Sequence, residues 1–278
     1  MNPVLGPVMG PPTIGVFDFL GASVLPEAEL WAGAVRANGG SVVNEDVAIV
    51  SAFIAAEIAA GAWALTDDYL GFWAPSAGQA RVSIKQRRLA TVTAAPTFTA
   101  NRGYAFDGST QFVDTGFVPS THGVNCTGTA QRLGVYERTN ISSSGVSAGT
   151  IDAATRALTL INRNGANASG RANHSGTNFA LSVADSRGLK TVSRADGGLA
   201  VLGYDRGVRL TDGTAASVGT AAPTRAIYVG AVNNAGSAGS FRAASTGFVV
   251  VGGPLSDAQE LAQYNNVQAW ATIRGAQV

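Results

Sequence analysis

The sequence predicts a mainly β protein: an antiparallel β-sandwich preceded by a short N-terminal helical module and closed by a C-terminal helix. Three observations predict it. From residue 79 onward, about a dozen short runs of alternating or β-branched residues follow one another at hairpin spacing. Turn dipeptides fall among them: Asp107-Gly108, Asn164-Gly165, Asp196-Gly197 and Asp212-Gly213. Such pairs tolerate the left-handed backbone that reverses a hairpin. The composition agrees, with 35 Gly in 278 residues and only 13% charged residues, well below the usual quarter.

Bulk chemistry excludes several function classes. The net charge is +1, so no strong field steers the chain to nucleic acid or to a membrane. The densest basic cluster is Lys85, Arg87 and Arg88. It lacks the glycine cradle or aromatic platform of a phosphate or nucleic-acid site, and reads as a solvated edge or as partners for subunit carboxylates. Cys126 is the only cysteine, which rules out an intramolecular disulfide and reads as a small buried hydrophobe. The first basic residue is Arg36, so no signal peptide is visible. The Asn-x-Ser/Thr triplets at Asn125, Asn140, Asn167 and Asn173 then mean only polar loops.

Residues 1–25 read as an extended arm. Pro3, Pro7, Pro11 and Pro12 block helix formation, yet the segment is apolar, unlike a solvated tail. Val4, Val8, Ile14, Phe17 and Phe19 are its candidate assembly contacts, along this domain or a neighbouring subunit. A frayed terminus is the alternative. Residues 26–78 form the helical lead-in. Pro26, Glu27 and Glu29 suit a helix start, and Asn38-Gly39-Gly40 stops it. A second helix is expected from Asn44 to Ala60, with Glu45 and Asp46 in its first turn and Gly61 beyond its end. Val47, Val50, Ile54 and Ile58 form one stripe, Ile49 and Phe53 a second ridge, and Glu57 lies between them. Residues 47–65 are long enough to span a membrane, but Glu57 sits mid-span and no basic flank anchors it. A helix apolar on two faces is expected between two packed surfaces. The expected pair is the β domain and a neighbouring subunit, with Ile49 and Phe53 as assembly contacts.

Residues 79–278 form the sandwich. "ARVSIK" alternates strictly and opens the strands. Then come "YAFD", "FVDTGFV", "RLGVYER", "ALTLINR", "GLKTVSR", "LAVLGYD", "AIYVGAV" and "TGFVVVG". The closing helix follows Pro254, with Ser256 and Gln259 as a capping box. Tyr264, Val267 and Ala271 centre its stripe, flanked by Leu261 and Trp270, and Gly275 ends it.

The stretch "RGYAFDGSTQFVDTGFVPST", residues 102–121, places Tyr104 and Phe106 on one strand face, turns at Asp107-Gly108, and ends pairing at Pro119. It resembles the opening strands of concanavalin A-like (laminin-G-like) jelly-roll domains. "GYDRGVRL", residues 203–210, resembles a hairpin of that family, with Asp205-Arg206-Gly207 as its turn. Residues 228–264 resemble the family's closing module, a strand leading through "PLSDAQE" to a terminal helix. The segment from Trp63 to Gly108, with "GFW" and "IKQRRLAT", is similar to segments that precede such domains in tailed-bacteriophage and prophage structural proteins. The resemblance implies a jelly-roll topology and a virion component made in the bacterial cytoplasm. Its expected partners are other virion proteins and further copies of itself.

No reactive constellation stands out. The Glu-x-Asp-x-x-Glu strand of glycan-cleaving members of the fold is absent. Asp67 and Asp68 are adjacent, so a strand sends them to opposite faces. Asp107 and Asp114 flank a turn and read as turn caps. His122 and His174 are isolated, and no zinc set exists. Asp205, Asp212, Asn233 and Asn234 are loop oxygens of the type a calcium site gathers. The reading is a non-enzymatic protein without a cofactor. The functional alternative is host-surface glycan binding, with Tyr136, Tyr204, Asn162 and Asn164 lining a groove beside the Asn-rich loop 162–178. Trp63, Tyr69, Phe72 and Trp73 read as helix-to-sheet packing.

Overall fold

A computed structural model describes residues 23–175, 179–195, 198–214 and 217–278. The proposed contacts Val4, Val8, Ile14, Phe17 and Phe19, and the Asp196-Gly197 turn, lie outside the described residues. The helices are α1 (Pro26–Ala37), α2 (Asn44–Ala59), α3 (Ala62–Leu65), α4 (Ala77–Ala80), α5 (Pro119–His122) and α6 (Asp257–Ile273). The strands up to the middle of the chain are β1 (Thr66–Gly71), β2 (Thr91–Thr93), β3 (Thr97–Thr99), β4 (Gly103–Ala105), β5 (Phe112–Asp114), β6 (Gln131–Glu137), β7 (Ala148–Ala153), β8 (Arg156–Asn164), β9 (Asn167–Ala172) and β10 (His174–Ser175). Those that follow are β11 (Phe179–Ser182), β12 (Gly188–Arg194), β13 (Ala200–Asp205), β14 (Val208–Thr214), β15 (Ser217–Val218), β16 (Tyr228–Val229), β17 (Val232–Asn234), β18 (Ser237–Gly239) and β19 (Ser245–Gly252).

Two sheets form a jelly-roll-like sandwich. The first runs β14-β13-β12-β6-β19-β4-β3, with β1 also paired to β19. The second runs β11-β9-β8-β7-β16-β5-β2, with the β17–β18 hairpin attached at β7. Pairing is antiparallel except where β17 joins β7. The β13–β14 hairpin turns at Arg206 and Gly207, both at positive φ, the backbone a tight two-residue turn demands. Asp212-Gly213, expected as a turn, instead continues β14 opposite Leu202 and Val201. A pair that can turn need not do so when a neighbouring strand offers a ladder.

Alternation along β6 and β19 builds two cores. Leu133, Val135, Val249 and Val251 point between the sheets, against Val113, Leu158, Leu160, Val192 and Val229. Tyr136, Phe248 and Val250 point the other way, into a second core roofed by α1, α2 and α6 through Trp31, Val50, Ile54, Val267 and Trp270. "GFVVVG" is a continuous apolar run because both of its faces are covered. Glycines let the roof sit close. A Cβ on Gly71 would collide with the Trp270 ring, and one on Gly247 with Trp73 Nε1.

The helices form as their ends dictate. Asp46 Oδ2 accepts from Val43 N at the start of α2. Gly61, at φ 69°, follows its end in the left-handed conformation that suits glycine. In α6, Ser256 Oγ accepts from Gln259 N, and Gln259 Oε1 accepts from Ser256 N. The two-faced α2 does lie between two surfaces, but both belong to its own chain. Ile49 and Phe53 pack into the second core, where Phe53 meets Tyr69, Phe248 and Trp270. Ile58 and Leu261 leave their expected stripes and are 47% and 44% exposed.

The lead-in is more than helical. Residues 66–71, "TDDYLG", form β1 and pair with Gly252 to Phe248. Conversely, "ARVSIK" makes only an isolated bridge, Val82 to Leu89, although Val82 and Ile84 are buried under α1 as the alternation implies. The division at 78/79 therefore separates β1 from the sheet in which it pairs.

Buried charges clamp the layers. Arg132 of β6 donates to both Glu260 oxygens at 2.6 and 2.7 Å and to Gln263 Oε1. Gln263, Asn266 and Tyr69 all donate to Glu57 of α2. Arg242 grips Glu137 through two bonds at 2.5 and 2.9 Å and donates to the carbonyls of Ser143, Gly145 and Arg163. Breaking a fully buried pair leaves one charge uncompensated. Arg242→Ala is therefore expected to lower unfolding free energy by about 3–5 kcal/mol, and Arg242→Met with Glu137→Met to recover most of it, in chemical denaturation. Glu57 adds a pH dependence. Burial raises its pKa above 4.5, against hydrogen bonds from Asn266, Gln263 and Tyr69 that lower it. The folded state thus holds the proton more tightly than the unfolded chain. This contribution to stability is complete below pH 4.5 and is lost as pH rises through the raised value. The stability gap between wild type and Glu57→Gln should therefore shrink as pH rises. A gap that widens would contradict desolvation as the main cause.

Candidate functional site

Among the described residues, Tyr136, Tyr204 and Asn162 line no surface groove. Tyr136 and Tyr204 are 0% and 1% exposed. Tyr136 faces the helical roof and donates to Gln268, while Tyr204 donates to Asp257. Asn162 is buried and its amide donates to the carbonyls of Val135 and Ser186. Only Asn164 is exposed, at the β8–β9 turn. Trp63, Tyr69, Phe72 and Trp73 are packing residues as expected, with Trp63 stacked on Tyr69 at 5.4 Å.

The carboxylates hold loops. Alternation on β1 sends Asp67 toward the backbone amides of Val124, Asn125 and Cys126. Asp68 accepts from Tyr69, Lys85 and Gln86. Asp107 accepts from the amides of Ser109, Thr110 and Gln111, which hold its pKa far below the usual carboxylate range. Two members of the basic cluster are engaged in the same way. Lys85 donates to the carbonyls of Trp63 and Thr66, and Arg88 to Gln86 and Gly116. Both histidines accept from backbone amides through Nδ1, His122 from Val118 and His174 from Ala172, and burial lowers both pKa values. Asp205 pairs with Lys190 at 2.7 Å, and Asn233 bonds Ala226 and Gly236. The side chain of Asp212 lies outside the described residues. Among the described residues, no group of three or more His, Cys, Asp or Glu gathers as a metal site. No described helix is long and apolar enough to cross a membrane.

Two surface features remain. The first is a groove between α2 and α6, lined by Ala52, Ala56, Asn266, Ala269 and Ile273, with Ile49, Phe53 and Trp270 beneath them. Ile49 and Phe53 are each only 4% exposed. The second lies on the outer face of the second sheet. Val113 of β5 and Val229 of β16 point into the core, so Phe112, Asp114 and Tyr228 point out. Tyr228 sits directly opposite Asp114, and its ring stacks on Phe112 with centroids 4.4 Å apart and planes 24° apart. Phe241 stands 6.4 Å from Phe112. Asp114 Oδ1 accepts from Gly116 N, and burial raises its pKa. "FVD" shows the i, i+2 alternation in sequence, but nothing in the sequence brings Tyr228 beside it.

No protein-family model and no curated protein matches the chain. Solved structures resemble it at low identity. Domain 4 of AbnA, a GH43 extracellular arabinanase from Geobacillus stearothermophilus, is 12% identical over 72% of this chain and 98% of its own, with a TM-score of 0.44. Trypanosoma rangeli sialidase is 13% identical over 71% of this chain and 32% of its own, at 0.47. The CBM40 of Ruminococcus gnavus IT-sialidase is 16% identical over 50% of this chain and 83% of its own, at 0.39. These three matches take in from 98% to 32% of the other chain, and what those proteins bind or cleave is a property of those proteins.

Cys126 is fully buried, and burial together with nearby Asp67 pushes its thiol pKa up. It should resist thiol reagents in the native protein and react on unfolding, which a colorimetric thiol assay in buffer and in denaturant checks.

Proposed function

We propose that this protein is a non-enzymatic structural component of a bacteriophage particle. It works through contacts between copies, with the apolar N-terminal arm read from the sequence and α2 as the contact elements. The observation that carries the reading is an apolar N-terminal sequence on a chain whose helices α2 and α6 leave a groove at the surface. The segment carries Val4, Val8, Ile14, Phe17 and Phe19 with four interspersed prolines, a composition suited to burial against an apolar groove.

The particle setting rests on the resemblance of residues 63–108 to segments of tailed-phage proteins. The engagement of Asp67, Asp68 and Asp107 with loop amides supports a non-catalytic role. The low charge supports close association, since few ions need desolvation.

Sedimentation of the full chain should show concentration-dependent association that deletion of residues 1–22 removes while the melting curve is unchanged. Equal sedimentation of both forms would refute the contact. Absence of the chain from symmetric positions on a purified particle would refute the setting.

A further inference from the structure

We propose that the outer face of the second sheet binds a neutral saccharide, with the stacked Phe112–Tyr228 pair as the platform and Asp114 as the hydroxyl acceptor. The site is distinct from the α2–α6 groove and does not rest on the assembly reading.

Three adjacent strands at the edge of the sheet present a small grid. Thr91 pairs with Asp114, Thr93 with Phe112, and Tyr228 lies between Asp114 and Gly149. The residues between them, Val92, Val113 and Val229, turn to the core, so this grid faces solvent. Phe112 and Tyr228 are only half-buried. Most of the chain's large aromatic rings lie in the cores, so a stacked pair held at the surface is unlike the rest of the fold.

The chemistry around the pair selects the ligand. A pyranose has an apolar face of C–H groups and a rim of hydroxyls. It needs a π surface and a hydrogen-bond acceptor within a few ångströms of each other. Tyr228 supplies the ring, and Gly149 beside it on β7 places no side chain against it. Asp114 supplies the acceptor. Its Oδ1 is engaged with Gly116, and among the described residues its Oδ2 accepts no hydrogen bond. Thr91 and Thr93 add hydroxyls at the edge. An apolar protein contact would be interrupted by these polar groups. The Asp114 carboxylate opposite Tyr228 repels an acidic ligand and leaves an uncharged one favoured.

Maltotriose, chitotriose, a galactose-terminated trisaccharide and 3′-sialyllactose would be titrated into the full chain. Saturation-transfer NMR would read contact, and calorimetry affinity. At least one neutral probe should bind saturably, with transfer from the Tyr228 ring protons. Tyr228→Ala should weaken it by about tenfold or more, Asp114→Asn several-fold, and Tyr228→Phe little. Deletion of residues 1–22 should leave it unchanged. Circular dichroism and melting curves report whether each variant folds. Should Tyr228→Ala not fold, Asp114→Asn and the wild-type ring contacts decide the matter. The proposal is overturned if no neutral probe saturates, if only sialyllactose binds, or if folded Tyr228→Ala or Asp114→Asn binds as wild type does.

Discussion

Two-sided burial of β6 and β19 is the constraint on which the fold depends. These adjacent strands sit in the middle of the first sheet; β19 is apolar toward both layers, and β6 turns Leu133 and Val135 to one and Tyr136 and Arg132 to the other. A sandwich alone would cover only one of those faces. Leaving Tyr136, Phe248 and Val250 in water would forgo about 1.5–3 kcal/mol for a side chain such as Phe248. The helical lead-in and α6 are therefore part of the folding unit. The glycines at 71 and 247 follow from the same demand, because the tryptophans of the roof must reach the sheet backbone.

The polar groups follow from that roof. A helix laid over a sheet buries its own charged residues, and they must find partners there. Glu57, Glu260 and Arg132 meet in one network that joins α2, α6, β1 and β6. Such a network adds orientation more than net stability, since desolvation offsets much of the attraction. It also explains why carboxylates with raised pKa values occur here with no nucleophile or acid partner. Asp68 and Glu57 are shifted by burial within structural clamps.

Much of the architecture was legible. Both long lead-in helices, the closing helix and its capping box, and the strands around "RLGVYER" and "TGFVVVG" are local patterns written in consecutive residues. The β1 strand was not legible. "TDDYLG" carries two aspartates that argue against a strand until loop amides from 58 residues away solvate Asp67. "ARVSIK" alternates like a strand, but its neighbours leave it only a bridge. The candidate site was misread for a related reason. Tyr136 and Tyr204 look like platform residues because an aromatic with a hydroxyl suits both a groove and a wet-ended core. Partners more than 50 residues away, Gln268 and Asp257, settle which.

The sequence by itself determined the class of fold and the placement of its three long helices. Each depends on spacing, end residues and composition, which are local. The tertiary structure alone decided which aromatics are buried and which stand at the surface. It also decided which carboxylates are clamps, and that both faces of α2 are covered by its own chain. Those outcomes depend on which strands become neighbours. Tyr228 and Phe112 meet only because β16 pairs with β5, and such long-range pairing is chosen by the whole core packing together.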